Sequence, residues 1–485
     1  VAGADLAGRH VLVVGLGVSG RAAVAALRAL DPAPAVVTLD ARTADADVHD
    51  GTEVDLGRFD LVVTSPGWPP SSPVLAEAVR RGIPVWSEVE LAWQLRVERA
   101  GGRGPAPWLV VTGTNGKTTT VGMLASILTA AGLQAPAVGN IGTPVVEAAT
   151  DPTVDVLAVE LSSFQLHFTH SMAALGAAVL NVAPDHLDWH GTFEEYLAAK
   201  GRVFARAGVA CVYPADDRRV EDLVREAEVQ DGAIAVGVTL GAPGPGQVGL
   251  IEDILVDRAF HTAQDDPRRT ASAAELGTLT DLAHLAGPDG AVGPHVVHDA
   301  LTAAALARAQ GVPAHAVRDG LRAYRSGAHR IEHVTSVDGV AFVDDSKATN
   351  AHAASASLAS FAPGSVVWLA GGLAKGARFE DLVRERADRL RAVVLLGVDQ
   401  APLVEALARH APGIPVVGID PADTGTVMTR AVTQAHRLAQ PGDTVLLAPA
   451  CASMDQFASY ADRGDAFVRA ARALTGAAGR PASDG

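Results

Sequence analysis

Apolar runs that each stop at a glycine-rich or polar turn, with a helix-spaced stretch directly behind, recur along most of the chain. That alternation admits few folds, because successive strands joined through helices lie parallel and present their ligand-bearing turns at the strands' carboxyl ends. Residues 10–14 are apolar, Gly15, Gly17 and Gly20 mark a turn, and 19–30 carry helical spacing up to Pro32. A second strand at 35–39 ends at Asp40, and a third at 61–64 runs into Ser65-Pro66-Gly67. Residues 99–107 are rich in Gly and Pro without periodicity and read as a linker, after which the strand-turn-helix pattern restarts at 108–112. Further strands are predicted at 154–159, 175–182, 340–343, 366–369, 393–396 and 444–447, with a helix near 297–310. Thr192 followed three positions later by Glu195 is a capping-box signature for a helix carrying Tyr196 and Lys200. The pattern weakens over 214–290, where no chemistry can be placed.

Composition narrows the function. With 485 residues, 48% of them hydrophobic, the chain is too long for one ordinary domain. Lys and Arg number 39 against 55 Asp and Glu, a formal charge of -16, which disfavours nucleic acid and anionic membranes as partners. Any phosphate must therefore be held locally. Two cysteines, Cys211 and Cys451, make no disulfide framework and read as packed small residues, and no apolar run approaches the roughly 18 residues of a spanning helix. The N-terminus lacks a basic stretch followed by an apolar segment, so a cytoplasmic location is expected.

Gly113-Thr114-Asn115-Gly116-Lys117-Thr118 lies between strand 108–112 and a helix predicted at 119–131, the placement a phosphate-binding loop requires. Amides at the helix start can hold polyphosphate, Lys117 can neutralise it and the Thr118 hydroxyl can ligate Mg²⁺. Val111 stands where the longer form of this loop has its first glycine, so the loop is a shortened variant. Gly15, Gly17 and Gly20 with Asp40 satisfy a dinucleotide fingerprint that also suits another nucleotide diphosphate or plain turn glycines. A second nucleotide site makes redox chemistry less economical, and Arg42 beside Asp40 can pair with a phosphate, which favours a nucleotide-linked substrate over NAD. Glu160, at a strand end, can hold Mg²⁺, and His186 in Asp185-His186-Leu-Asp188 can ligate a second cation, although both residue types also occur there merely solvated. Lys200 by its own sequence context is an ordinary surface lysine. In the last third, His329-Arg330-Ile-Glu332 and Asp344-Asp345-Ser-Lys347-Ala-Thr349-Asn350 occupy turns, the latter pairing a cation with a hydroxyl as a carboxylate site would. Ala370-Gly-Gly-Leu-Ala-Lys375 and Pro449-Ala-Cys451-Ala-Ser453-Met-Asp455-Gln-Phe457 follow later strands in the same way.

Taken in order, these motifs, with Glu160-Leu-Ser-Ser-Phe-Gln165 and Asn181-Val-Ala-Pro-Asp-His186, resemble those of the Mur ligases from Gly15 to about Asp465. Asp-Ser-Lys-Ala-Thr-Asn points to the branch that adds D-glutamate, and the Asp-Asn-Pro-Arg motif of the diaminopimelate- or lysine-adding branch is absent. The resemblance implies an α/β fold with three domains: a Rossmann-like domain at 1–104 for the UDP substrate, a central P-loop ATPase-like domain with a mixed or parallel sheet at 105–326, and a Rossmann-like amino-acid domain at 327–485. It implies ATP-dependent joining of D-glutamate to UDP-N-acetylmuramoyl-L-alanine through an acyl phosphate, by a monomer with no nucleic acid or membrane partner. The implied UDP-substrate residues are Val18, Ser19, Asp40, Arg42, Ser65, Pro66, Gly67, Asn140, Gln165 and His186. ATP falls to Gly113 through Thr119, with His329, Arg330 and Asp345. Two magnesium ions fall to Thr118, Glu160, His186 and Lys200, the lysine carrying a CO2-derived carbamate. D-glutamate falls to Lys347, Thr349, Lys375, Ser453 and Tyr460, the last in place of the family's usual phenylalanine. Catalytic roles are implied for Lys117, His186, Lys200, Asp345 and Lys347. One stretch departs from the family: Gly293-Pro-His295-Val296-Val-His-Asp299 stands where the family has Gly-x-His-Asn-x-x-Asn near adenine, so weaker discrimination between ATP and GTP is expected. A sister Mur ligase, a folylpolyglutamate-synthase-like ligase and a non-catalytic or NAD-dependent nucleotide binder remain alternatives.

Overall fold

The computed structural model describes residues 6–287, 290–327 and 329–478. Its strands form three sheets among the described residues. The first has four parallel strands in the order Ala35–Leu39, His10–Val14, Leu61–Thr64, Val85–Ser87. The second has nine, beginning at one edge with Ala137–Gly139, Leu157–Glu160, Trp108–Thr112, Gly176–Val179 and Ala210–Pro214, all parallel. The third has six, in the order Glu332–Val337, Val340–Asp344, Thr444–Leu447, Val366–Gly371, Leu390–Leu396, Val416–Gly418, parallel except for the first pair. The α/β fold expected from the alternation is present. The chain packs as two compact units: Val1–His284 with Pro294–Tyr324, which contains the first two sheets, and Leu285–Gly293 with Arg325–Gly485, which contains the third.

Strands buried on both faces read as continuous apolar runs, and every residue of Trp108–Thr112 and of Val366–Gly371 is buried. Two strand boundaries differ from the sequence reading. The run predicted at 154–159 becomes a strand at Leu157–Glu160, because Asp155 turns its carboxylate to the Gln134 amide at 3.0 Å. The run at 175–182 pairs only over Gly176–Val179, because Asn181 is used by the loop across the sheet. The unplaced stretch extends the second sheet: Ile234–Val238 and Gln247–Ile251 continue it in parallel, and Ile254–Asp257 and Ala274–Thr278 add antiparallel strands. A fully buried Asp257 paired to Arg308 at 2.9 Å ties this extension to helix Pro294–Ala309. Within the first unit the two sheets are joined through helix Glu88–Leu95. Glu90 accepts the amides of His170 at 2.7 Å and Ser171 at 2.9 Å, and Glu88 accepts that of Val146 at 2.6 Å. Among the described residues no helix is long and apolar enough to cross a membrane.

Candidate active site

In a parallel strand-turn-helix unit the turn lies at the strand's carboxyl end, where helix amides point outward. Strand Trp108–Thr112 delivers such a turn, and helix Lys117–Ala130 starts inside it. Gly116 has φ +84°, and a side chain there would collide with Asp299, whose Oδ1 lies 2.5 Å from where a Cβ would stand. The loop is cradled from the neighbouring strand's end. The Thr114 amide donates to Asn181 O at 3.0 Å, the Asn115 amide to Asn181 Oδ1 at 2.9 Å, and Thr114 Oγ1 meets the Tyr196 hydroxyl at 2.9 Å.

The Nζ atoms of Lys117 and Lys200 both donate to one acceptor, Gly113 O, at 2.9 Å and 2.8 Å, and Lys117 also reaches Thr114 O at 2.9 Å. Lys200 is not the surface residue its sequence context suggests. Its side chain lies under the loop with 2% exposure, against the Tyr196 ring 4.6 Å away. Burial, reinforced by the charge of Lys117 and opposed by Asp185 and Glu160, holds its amine well below the usual lysine range. Glu160 ends its strand equally buried, accepting Thr118 Oγ1 at 2.7 Å and Asn140 Nδ2 at 2.9 Å. A hydroxyl, a carboxylate and an amide oxygen beside a phosphate loop are the hard donors that Mg²⁺ takes. His186 has φ +54° and stacks edge-on to Phe164, with Nε2 3.6 Å from Asp185 Oδ2. Gln165 spends its Oε1 on the Ser162 amide and hydroxyl, both at 2.9 Å, in a capping box.

On the first sheet, the glycine turn is a packed object. A Cβ on Gly20 would stand 1.8 Å from Gly15 O, and that same oxygen accepts Ser65 Oγ at 2.7 Å. Asp40 accepts the amides of Leu16 at 2.7 Å and Arg42 at 2.8 Å. Desolvation pulls its carboxyl upward, but those amides outweigh it and leave it below the usual range. Val18 is exposed beside the turn. The stretch that departs from the family, 293–299, opens helix Pro294–Ala309 and buries Asp299 against the phosphate loop.

The C-terminal unit gathers its motifs at one end of its sheet. Strands Val340–Asp344, Thr444–Leu447 and Val366–Gly371 are parallel neighbours, so the turns behind them share an edge. A bridge between Leu373 and Ala452 brings two of these turns together. Lys347 Nζ stands 3.9 Å over the Tyr460 ring, Ser453 is buried, and Lys375 is exposed with φ +49°. Thr349 donates its amide to Lys347 O at 2.8 Å. His329 Nδ1 lies 2.7 Å from Asp344 Oδ2. Asp345 is held by Ser357 Oγ, and burial pushes its carboxyl up to about 7 against the nearby Arg330 charge.

The residue that sequence reasoning missed is Arg463. It is 1% exposed and donates to Ser346 Oγ at 3.0 Å, Ser346 O at 2.9 Å and Cys451 O at 3.1 Å, tying the lysine-bearing turn to the serine-bearing one. Burial lowers its guanidinium to about 10. Arg463→Met would orphan three buried acceptors and should cost about 3 kcal/mol. A urea midpoint equal to that of the wild type would refute this anchoring role.

The pattern of the Mur ligase middle domain matches residues 111–243, and that of the Mur ligase glutamate ligase domain matches 329–451. The chain belongs to the Mur ligase family. It is 56% identical to the UDP-N-acetylmuramoylalanine--D-glutamate ligase of Streptomyces avermitilis, over 96% of this chain and 98% of that one. The protein of the same name from Bifidobacterium longum is 49% identical over 96% and 98%, and that of Mycobacterium avium 46% over 96% and 97%. Among solved structures the fold is shared with UDP-N-acetylmuramate-alanine ligase from Thermotoga maritima, with TM-score 0.56 and 16% identity over 96% of this chain and 99% of that one. A pseudomurein peptide ligase type C from Methanothermus fervidus gives the same score and identity over 97% and 100%.

Proposed function

We propose that this chain joins D-glutamate to UDP-N-acetylmuramoyl-L-alanine at the expense of ATP, as a cytoplasmic monomer making a peptidoglycan precursor. The observation that carries the reading is the hydrogen-bonded cluster of Lys117, Thr118, Asn140, Glu160 and Lys200 around one phosphate loop, with Glu160 and Lys200 buried beneath it. Residues 1–104 take the UDP end, 105–326 take ATP and 327–485 take the amino acid.

A carboxylate is a poor electrophile, because its oxygen is a poor leaving group. The γ-phosphate of ATP is therefore transferred to the alanyl carboxylate, and the amine of D-glutamate attacks the resulting acyl phosphate and expels phosphate. The reacting groups are both anions. Lys117 and the loop amides offset their repulsion where the charge gathers. Thr118, Glu160 and His186 would hold magnesium, which supplies further charge neutralisation on the phosphate oxygens. Lys200, whose amine burial and the charge of Lys117 hold well below the usual lysine range, is suited to add CO2, lose a proton and present a carbamate anion to the same cations. Lys347, Thr349, Lys375, Ser453 and Tyr460 receive D-glutamate, and His329, Arg330 and Asp345 serve ATP.

The test is ADP release with UDP-N-acetylmuramoyl-L-alanine and each candidate amino acid in turn. Release should require D-glutamate, and equal use of L-glutamate or of a diamino acid would overturn the assignment. The substrate sites separate kinetically: Arg42→Ala should raise KM for the nucleotide sugar about tenfold and leave KM for D-glutamate and ATP unchanged, whereas Lys347→Ala should do the reverse for D-glutamate. Were both variants to change the same KM, one of the two sites would be misplaced.

A further inference from the structure

We infer that Arg202, Arg206 and His170 form a second anion site, for a small tetrahedral oxyanion, in a cavity of about 280 Å³ that they line with Thr169, Met172 and Ala205. The cavity lies away from the phosphate loop. Residues 169–172 lead into strand Gly176–Val179 and residues 202–206 lead into Ala210–Pro214, so the cavity sits at the amino ends of those parallel strands. The phosphate loop and Glu160 follow their strands, at the carboxyl ends. A strand of four residues, roughly 13 Å, separates the two edges.

At this edge the Glu90 carboxylate is taken up by the amides of His170 and Ser171 and by the Ser171 hydroxyl. Several exposed arginines of this acidic chain pair with carboxylates, as Arg80 and Arg81 do with Glu77, Arg103 with Asp155 and Arg225 with Glu221. Among the described residues neither Arg202 nor Arg206 has an acidic oxygen within ion-pair distance. Each gives one N–H to a main-chain carbonyl, Arg202 to His167 O and Arg206 to His170 O at 2.7 Å. A guanidinium has five N–H donors in a planar fork, so both keep donors for an oxyanion. The His170 ring and Thr169 are held in place. His170 Nε2 donates to Val85 O at 2.9 Å, and Thr169 Oγ1 meets Ser87 Oγ at 2.9 Å, both partners belonging to the edge strand of the first sheet. The field is also felt nearby: burial, then the charges of Arg202 and His170, hold His167 at about 4, and Glu195 is the acid that opposes them. A bound anion would thus sit on the seam between the first and second sheets, where it bears on how the two are joined.

Two sources carry this chemistry, free phosphate and the phosphoryl end of a nucleotide. The site is tested at pH 7.5 and fixed ionic strength by titrating the full chain with inorganic phosphate, with AMP or with chloride. The readout is the ring Cε1–H resonance of His170, assigned with His170→Gln. Phosphate should move that resonance saturably in the millimolar range, chloride should not, and the shift should persist in Lys117→Ala, where the phosphate loop is disabled. Arg202→Gln/Arg206→Gln should weaken the response at least tenfold. Saturation by AMP at lower concentration than phosphate would identify a nucleotide's phosphoryl group as the ligand, and the converse the free ion. A His170 shift no larger with phosphate and AMP than with chloride would overturn the site, as would an undiminished shift in the folded double variant. If the double variant does not fold, the comparison with chloride in the wild type decides alone.

Discussion

Lys200→Ala should lower kcat by about a thousandfold, roughly 4 kcal/mol of transition-state stabilisation, without loosening the fold. The lysine lies under the phosphate loop with 2% exposure and donates a hydrogen bond to Gly113 O, while Lys117 repels it. Such a group costs stability: desolvation opposes its charge, and among the described residues no acid stands in hydrogen-bond contact to offset it. A purely architectural side chain in that place would be apolar, so Lys200→Met should unfold at or above the wild-type Tm even as activity collapses. A carbamate resolves the conflict by replacing an amine whose charge burial disfavours with an anion beside Lys117, which would also help to hold magnesium. Two outcomes separate this from a structural role. A small added carboxylic acid should restore part of the activity of Lys200→Ala by placing an anion in the vacated space, and no such rescue should occur in Glu160→Ala, which keeps its lysine. Full activity of Lys200→Ala without additive would return the residue to an ordinary packing role.

The contrast between Lys200 and its surroundings shows where sequence is informative. Strands at 10–14, 35–39, 61–64, 108–112 and 444–447 have the bounds that their apolar runs suggest; for 61–64, 108–112 and 444–447, buried at every residue, the reason is that a parallel strand covered on both faces leaves an uninterrupted hydrophobic signal. The phosphate loop is legible for a related reason: glycine spacing, lysine and hydroxyl are all local, and the placement between strand and helix supplies the context. Glu160 and Asp345 follow from their position at strand ends. What stays hidden is whatever depends on distant pairs. The Thr192–Glu195 capping box is visible in sequence and present, yet it says nothing about which face of its helix turns inward. Burial of Tyr196 and Lys200 follows only from the loop packed above them.

The same reasoning accounts for 214–290 and for Arg463. In the former, Gln247–Ile251 pairs with its parallel neighbour over only two positions, and its other contacts are antiparallel, so neither a long apolar run nor a clean alternation builds up. Its buried Asp257 is explained by an arginine 51 residues away. Arg463 looks like a solvent-facing helix residue until its three acceptors, up to 117 residues distant, are brought beside it. Asp299 stands out in sequence only as a departure from the family pattern, and only the fold sets it against Gly116. The site residues carried over from the family resemblance therefore divide: those of the phosphate loop could be argued from local chemistry, whereas Lys200 could not.

Lys117→Ala should abolish acyl-phosphate formation while leaving the strand and helix around it intact. The helix begins at Lys117 itself, where alanine is at least as good a helix former, and the ammonium's partners are the carbonyls of Gly113 and Thr114, at the rim of the sheet rather than in its core. Folding therefore loses two part-buried hydrogen bonds, about 1 kcal/mol each. Catalysis loses a cation placed where the loop meets the helix, where negative charge accumulates as phosphate moves between two anionic oxygens. Interactions made only as that charge develops appear in kcat rather than in KM, so kcat should fall by about a thousandfold, with KM for the nucleotide sugar unchanged. Lys117→Arg should recover little, because a planar fork does not reach the same oxygens as a point charge. Rapid-quench measurement of phosphate transfer from labelled ATP, with D-glutamate withheld, isolates the first step. Transfer in Lys117→Ala within tenfold of the wild type would assign the charge compensation elsewhere, with Lys200 the nearest alternative, since both amines converge on the same carbonyl oxygen.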